Sequence, residues 1–107
     1  MTLKYFTDLP ECKPDQDINY GLEENESILI NCQVDAYPPP FLFHWSFNES
    51  YNSTSLSFNN KLKNVAKYEL KAYNYGILSC QAENSVGLQT QPCYYHIIPP
   101  SILTYCS

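Results

Sequence analysis

The side chains that could perform acid–base or metal chemistry are few and scattered along the sequence. His44 and His96 are the only two histidines, and neither has a nucleophile at a spacing typical of a catalytic site. Asp15 with Asp17, and the acidic run at 23–26, lack the loop of alternating oxygen ligands and a placed glycine that calcium sites use. We therefore expect no catalytic residue, no metal site and no cofactor, and predict that the protein is not an enzyme.

The five cysteines are the residues whose chemistry matters most. They contain no Cys-x-x-Cys pair and show no zinc-type spacing with the histidines. So many cysteines in a chain of 107 residues indicate an oxidising compartment and disulfide bonds. The basic residues are six lysines in a chain of net charge −5, which argues against a nucleic-acid partner.

Alternating apolar and polar residues predict the strands that carry two of these cysteines. The runs at 27–34 and 78–83 both alternate, and each places its cysteine, Cys32 or Cys80, on the buried face. A third inward-facing row, centred on Trp45, lies between them in the sequence. These three patterns predict a core built from strands.

The order Cys32, Trp45, Cys80 is typical of an immunoglobulin-like β-sandwich. In that fold a disulfide joins two antiparallel sheets, and the tryptophan packs against the disulfide. We therefore predict an all-β protein with a buried Cys32–Cys80 bond, and the chain length fits one domain. Closing a loop of this length stabilises the fold by about 4 kcal/mol in the chain-entropy model.

The other elements are predicted from turn residues and from alternation. Proline and glycine mark the connections, and Gly87 is free to take a positive φ in a hairpin before the last strand. The expected order is a lead-in at 1–13, strand structure at 15–22, a Pro-rich extended connection at 36–40, a loop with short edge strands at 48–64, a strand at 65–71, a turn at 72–76 and a last strand at 88–98.

A longer motif adds a family resemblance. Residues 74–87 run Asn-x-Gly-x-Leu-x-Cys-x-Ala-x-Asn-x-x-Gly. This resembles the Asp-x-Gly-x-Tyr-x-Cys-x-Ala-x-Asn-x-x-Gly signature of I-set immunoglobulin domains, and the prolines at 38–40 are similar to the Pro-rich turn of the same set. Leu78 stands where that set has the tyrosine of the tyrosine corner, so we expect it to be buried without that hydroxyl's hydrogen bond.

The resemblance narrows to the Sidestep family. The segments that carry it are Pro10-x-Cys12, 32–40, 43–48, 75–80 and 84–98, which contains Pro-Cys-x-Tyr-His-Ile-Ile at 92–98. Sidestep-type proteins are arthropod transmembrane cell-surface proteins with several immunoglobulin domains, and they guide motor axons by engaging beaten path-type receptors. The resemblance implies that 10–98 is one such domain, with beaten path-type immunoglobulin receptors and neighbouring domains as partners.

The two ends of the chain are expected to belong to a longer protein. Residues 1–9 resemble the end of a preceding domain or a linker, and 99–107 form a tail unlike the family's continuation. The start has no signal-peptide pattern, and 97–103 is too short and too interrupted by proline to span a bilayer. We therefore expect an extracellular segment of a cell-surface transmembrane protein, without membrane contact of its own.

A second disulfide is expected between Cys12 and Cys93. In an immunoglobulin sandwich the first strand lies beside the last, and each of these cysteines has a proline close by, Pro10 or Pro92. With the first bridge in place the new loop closes about 34 residues, which adds about 3–4 kcal/mol in the entropy model. Two unpaired thiols and a Cys12–Cys106 bond remain as alternatives.

Three Asn-x-Ser/Thr sequons begin at Asn25, Asn48 and Asn52. All three fall in predicted turns or loops, where an oligosaccharide has room. We expect at least one to be glycosylated. Because Asn48 and Asn52 are close in sequence, we expect at most one of these two to be fully occupied.

Alternation also predicts a solvent-facing side of the sheet that contains Trp45 and Cys80. Its outward residues form a possible protein-binding face: Leu42, His44, Ser46, Ser79, Gln81, Glu83, Leu88 and Thr90. This set is mixed polar and apolar and lacks the aromatic cluster expected of a binding hot spot.

We therefore expect a non-enzymatic spacer module of a neuronal recognition and axon-guidance protein. Two other classes stay open. One is a structural spacer of a matrix or muscle protein, and the other is a secreted immune or inhibitory binding protein. Glycan occupancy would distinguish the expected extracellular module from the first alternative, since cytosolic spacers keep their thiols reduced and need no sequons. The presence of a membrane span in the whole protein would separate the second.

Overall fold

The computed structural model describes residues 8–23, 26–49, 58–71 and 75–100. The elements of these residues are nine strands: β1 (Asp8–Cys12), β2 (Asn19–Gly21), β3 (Ser27–Asn31), β4 (Val34–Tyr37), β5 (Leu42–Glu49), β6 (Phe58–Lys63), β7 (Lys67–Lys71), β8 (Gly76–Glu83) and β9 (Cys93–Ile98). The predicted all-β class is confirmed.

The largest sheet has five strands in the order β2-β9-β8-β5-β6. Strand β2 runs parallel to β9, and the other neighbours in this sheet are antiparallel. Two further sheets have two antiparallel strands each, β3 with β7 and β1 with β4. Strand β5, which contains Trp45, therefore lies between β8 and β6.

The core lies between the five-stranded sheet and the β3–β7 pair. Trp45 is fully buried and lies opposite Cys80 in the register of β5 and β8. Its ring centroid is 5.3 Å from that of Tyr68 on β7. The Cys32–Cys80 disulfide connects the end of β3 to β8 with a Cα–Cα distance of 6.2 Å. The structure therefore has this predicted bond, with Trp45 and Leu78 buried beside it.

The strand predicted at 27–34 is present, but it changes its partner part-way. β3 pairs with β7, whereas β4 pairs with β1. At the change the Cys32 N–H donates to Ala66 O at 2.7 Å, and Gln33 O accepts from the Lys13 N–H at 3.0 Å. Strand pairing then continues in β4 to Tyr37, beyond the predicted end of the strand at residue 34 and into the predicted extended connection, and the Tyr37–Pro38 peptide bond is cis.

The N-terminal part of the chain differs from the prediction. Residues 8–12, expected to belong to a lead-in, form β1, while only Asn19–Gly21 of the predicted 15–22 is a strand. The register between β1 and β4 shifts between Asp8 and Glu11, around the buried Pro10. Since proline has no N–H to donate to a ladder, this irregularity explains why a strand can contain it.

The last strand is shorter than the predicted 88–98, because β9 begins only at Cys93. Before it, Leu88 makes an isolated bridge with Glu83, and residues 90–91 form a bend. In the middle of the chain, β6 occupies part of the stretch predicted as mostly loop, and β7 begins at Lys67 rather than at residue 65. Of the turn predicted at 72–76, residues 72–74 lie outside the described part.

Candidate interaction surface

The outward face of the five-stranded sheet is the surface where the predicted site residues meet. The register pairs Leu42 with Glu83, His44 with Gln81 and Ser46 with Ser79 across β5 and β8. All of these side chains are partly exposed, whereas the residues between them in sequence are buried. The described residues of this outward face are Leu42, His44, Ser46, Asn48, Leu62, Ile77, Ser79, Gln81, Glu83, Tyr94 and His96.

The centre of the outward face is polar, and its groups bond to one another. His44 Nε2 lies 3.0 Å from Glu83 Oε1, and the Ser46 and Ser79 hydroxyl oxygens are 2.6 Å apart. The Gln81 side-chain amide donates to Gln89 O at 2.7 Å. These polar side chains therefore already have hydrogen-bond partners within the domain.

Sequence reasoning missed four residues of this face. Ile77, Tyr94 and Leu62 are apolar and are 36%, 50% and 54% exposed, and His96 is partly exposed. The predicted strand at 88–98 placed Leu88 and Thr90 on this face. Counting on by every second residue along it would also have given Tyr94 and His96. Leu62 was missed because its stretch was predicted as loop.

Leu88 and Thr90, which were predicted for this face, are exposed but lie before β9 begins. The bridge between Leu88 and Glu83 places Leu88 at the same end of the sheet as Leu42. The predicted residues of β5 and β8 are therefore together in space with Leu88. Of the apolar residues that the predicted set lacked, Ile77 lies beyond the Ser46–Ser79 pair, opposite Asn48. Tyr94 lies opposite Ser79, and Leu62 lies opposite His44.

A second disulfide closes the edge where the chain passes from one sheet to the other. Cys12, at the end of β1, is bonded to Cys93 at the start of β9, with a Cα–Cα distance of 5.7 Å. The Gln89 side-chain amide donates to Cys12 Sγ at 3.1 Å and to Gln91 O at 2.7 Å. The structure thus has the predicted pairing, and Cys106 lies outside the described residues.

A cleft of about 320 Å³ lies beside this second disulfide. It is bordered by the segment that connects β1 to β2 and by β9, with Lys13, Gln16, Ile18, Pro92, Tyr94 and His96 in its lining. The lining residues include no carboxylate. Among the described residues, no group of three or more His, Cys, Asp or Glu side chains could hold a metal ion.

Tyr95 connects the segment between β1 and β2 to the core. Its ring is buried, and its hydroxyl donates to Gln16 Oε1 at 2.7 Å. The ring meets Tyr20 of β2 edge-on, with centroids 6.1 Å apart. Burial raises the pKa of the Tyr95 hydroxyl to about 12, because the phenolate would lose its hydration inside the protein.

The three predicted glycosylation sites differ in what the structure says of them. Asn48 is exposed near the end of β5, on the outward face. Asn25 and Asn52 lie outside the described residues.

Within the described ranges, no helix is long and apolar enough to cross a membrane.

Comparisons of the chain with models of protein families, with curated proteins and with solved structures found no match.

Proposed function

We propose that this chain contributes one I-set immunoglobulin-like domain to a multidomain extracellular protein, in which the domain spaces and orients a neighbouring recognition domain. The observation that carries the proposal is the pair of disulfides, Cys32–Cys80 and Cys12–Cys93, in an all-β domain. Disulfides of this kind form and persist in oxidising compartments, and they are rare in cytosolic proteins.

The strand arrangement supports the immunoglobulin sandwich. A bond from the end of β3 to β8 links the small β3–β7 sheet to the five-stranded one, and Trp45 lies beside it on the neighbouring strand. This corresponds to the inter-sheet disulfide and buried tryptophan of that fold. The I-set assignment rests in addition on the motif at 74–87.

A spacer role is favoured by the way polarity is distributed over the outward face. Interfaces bury apolar anchors at their centre and have a polar rim. Here the His44–Glu83 and Ser46–Ser79 pairs occupy the centre. The exposed apolar side chains surround it on three strands, with Leu62 on β6, Tyr94 on β9 and Ile77 near the start of β8. Exchanging one set of hydrogen bonds for another gains little free energy, so this face offers a protein partner weak binding.

The resemblance of residues 10–98 to the Sidestep family supplies the biological setting. In that setting the protein is a neuronal cell-surface molecule, its partners are beaten path-type receptors, and this domain is an inner member of the array. We expect the isolated domain to bind such a receptor weakly or not at all.

Two measurements test the proposal. An antibody raised against the domain should stain unpermeabilised cells that express the endogenous protein, and staining only after permeabilisation would overturn the extracellular assignment. Surface plasmon resonance of the glycosylated domain over an immobilised beaten path-type receptor should show no binding at micromolar concentrations. Micromolar or tighter binding that is lost with Leu42→Asp or His44→Asp would make the outward face a recognition site and overturn the spacer role.

A further inference from the structure

We infer that Asn48 carries an N-linked glycan and that the first sugars of this glycan lie over Ile77, covering one end of the outward face. The inference rests on the proposed extracellular function, because the modification takes place in the secretory pathway. In it the Asn48 amide nitrogen forms a bond to the anomeric carbon of an N-acetylglucosamine. The bond from that carbon to a lipid pyrophosphate breaks, the pyrophosphate leaves, and the amide nitrogen loses a proton.

The position of Asn48 suits this modification. It is the first residue of an Asn-Glu-Ser sequon, its side chain is exposed, and it is the next-to-last residue of β5. A glycan is bulky and must project from the surface. The register of β5 places Asn48 on the same side of the sheet as Ser46 and His44, so its side chain points outward, as a glycan requires.

The residue opposite Asn48 is apolar. The β5–β8 register pairs Asn48 with Ile77, and the β8–β9 register pairs Ile77 with His96. Side chains directly opposite one another on antiparallel strands have Cβ atoms about 4.5–5.5 Å apart. The first sugar on Asn48 is therefore within reach of Ile77, and Tyr94 lies on the diagonal beyond it.

The chemistry of the covered surface matches that of a sugar. A pyranose ring presents C–H groups on its faces and hydroxyls at its rim, so its faces pack on apolar and aromatic side chains while its rim stays hydrated. Ile77 and Tyr94 are 36% and 50% exposed, and sugar contact would remove part of this apolar area from water. The opposite end of the face, where Leu42 and Glu83 pair, stays open.

The first experiment measures occupancy. The chain is secreted from insect cells behind a cleavable signal peptide, treated with peptide N-glycosidase, and mapped for asparagine converted to aspartate. Asn48 is expected to be occupied in most molecules, and Ser50→Ala should remove one glycan's mass without changing Asn48 itself. Asn52→Gln is the matched control and should leave the Asn48 glycan in place. An unmodified Asn48 in the secreted, disulfide-bonded chain would overturn the inference.

The second experiment tests contact with Ile77. Thermal unfolding is compared for the glycosylated chain and Ser50→Ala, each alone and combined with Ile77→Ser. Losing the sequon should lower Tm by about 2–5 °C in the parent chain and by less than about 1 °C when Ile77 is serine. Leu29→Ser is the control, because Leu29 is 57% exposed but lies on β3, in a different sheet from Asn48 and Ile77. Equal Tm losses in the parent and Ile77→Ser backgrounds would show that the glycan stands off the face, and would overturn the inference.

The failure of this inference and the failure of the proposed function give different results. If the endogenous protein is found inside cells, the proposed function fails whatever the glycan does in the secreted chain. If the endogenous protein is at the cell surface and the secreted chain lacks a glycan at Asn48, the inference alone fails.

Discussion

Gln89 hydrogen-bonds both backbone groups of Ala82 by itself. Its main-chain N–H donates to Ala82 O at 2.8 Å, and its side-chain oxygen accepts from the Ala82 N–H at 2.9 Å. A regular strand would supply this pair of bonds from its backbone alone. Because one residue supplies both, the chain can bend at 90–91 and resume pairing where Cys93 lies opposite Cys80.

Replacing Gln89 with alanine should therefore destabilise the domain. Gln89 is buried, so the loss of its side chain leaves the Ala82 N–H without a partner. It also removes the hydrogen bond from the Gln89 side-chain amide to Gln91 O. We expect a loss of about 1–3 kcal/mol in the free energy of unfolding, measured by urea denaturation. Gln91→Ala is the matched control, since the Gln91 side chain is exposed. A Gln89→Ala chain as stable as this control would show that water replaces the lost bonds.

Asn84 should be as sensitive, because its buried side chain joins three segments. Its amide donates to Asp8 O at 2.7 Å and to Pro38 O at 2.9 Å, while its oxygen accepts from the Val86 N–H at 3.0 Å. Asn84→Asp keeps the acceptor but places a carboxylate against two carbonyl oxygens. We expect it to cost about 2–4 kcal/mol at neutral pH, and part of this to return near pH ~4, where a protonated carboxyl can donate.

Urea denaturation at the two pH values measures this effect. Asn84→Ala separates the loss of the donor from the added charge, since it should show no recovery at low pH. Ser85→Ala, at the exposed next position, is the control for a change in the hairpin itself. If Asn84→Asp were equally unstable at both pH values, the charge would not be the cause.

The elements that the sequence predicted correctly are those in which burial and period agree. Cys32, Trp45 and Cys80 alternate with polar neighbours on strands with one buried face, so the pattern located the disulfide and the tryptophan beside it. The same alternation brought together the outward residues Leu42, His44 and Ser46, because β5 is regular throughout that stretch.

The elements that the sequence missed depend on contacts between distant residues. β1 is short and contains Pro10, and it is a strand because β4 and the Cys12–Cys93 bond hold it in place. The bend before β9 depends on a side-chain bond from Gln89, which has no periodic signal. The hydrogen bond from Asn84 to Asp8 O joins residues 76 positions apart, so no local sequence pattern predicts it.

The Cys12–Cys93 bond should contribute measurably to stability. With Cys32–Cys80 intact it closes a loop of about 34 residues, and we expect the double variant Cys12→Ala, Cys93→Ala to lose about 3–4 kcal/mol. Urea denaturation measures the loss, and Cys106→Ala is the control that removes a cysteine outside both bonds. Peptide mapping without reduction should recover Cys12 joined to Cys93, and a Cys12–Cys106 product would contradict the structure.

Tyr95 should make the domain lose stability at alkaline pH. Burial raises its pKa in the folded protein to about 12, from an ordinary value of 10.0. Below the lower value the hydroxyl is protonated in both states, so the contribution of Tyr95 is fully present. As the pH rises from there toward the folded pKa, the unfolded chain ionises Tyr95 while the folded chain does not, and unfolding becomes more favourable. Over that whole interval the loss should reach about 2 kcal/mol.

Urea denaturation from about pH 9 to about pH 11.5 measures this loss. Tyr95→Phe should start from a lower stability, because it lacks the bond to Gln16, but it should lose less with rising pH than the parent chain. Tyr94→Phe is the matched control for the loss of a tyrosine hydroxyl, since the neighbouring ring is half exposed. Tyr20 adds a smaller effect of the same sign, because burial and the nearby Asp17 raise its pKa. If Tyr95→Phe and the parent chain lost stability in parallel, ionisation of Tyr95 would not be the cause, and the alkaline sensitivity would have to come from other groups.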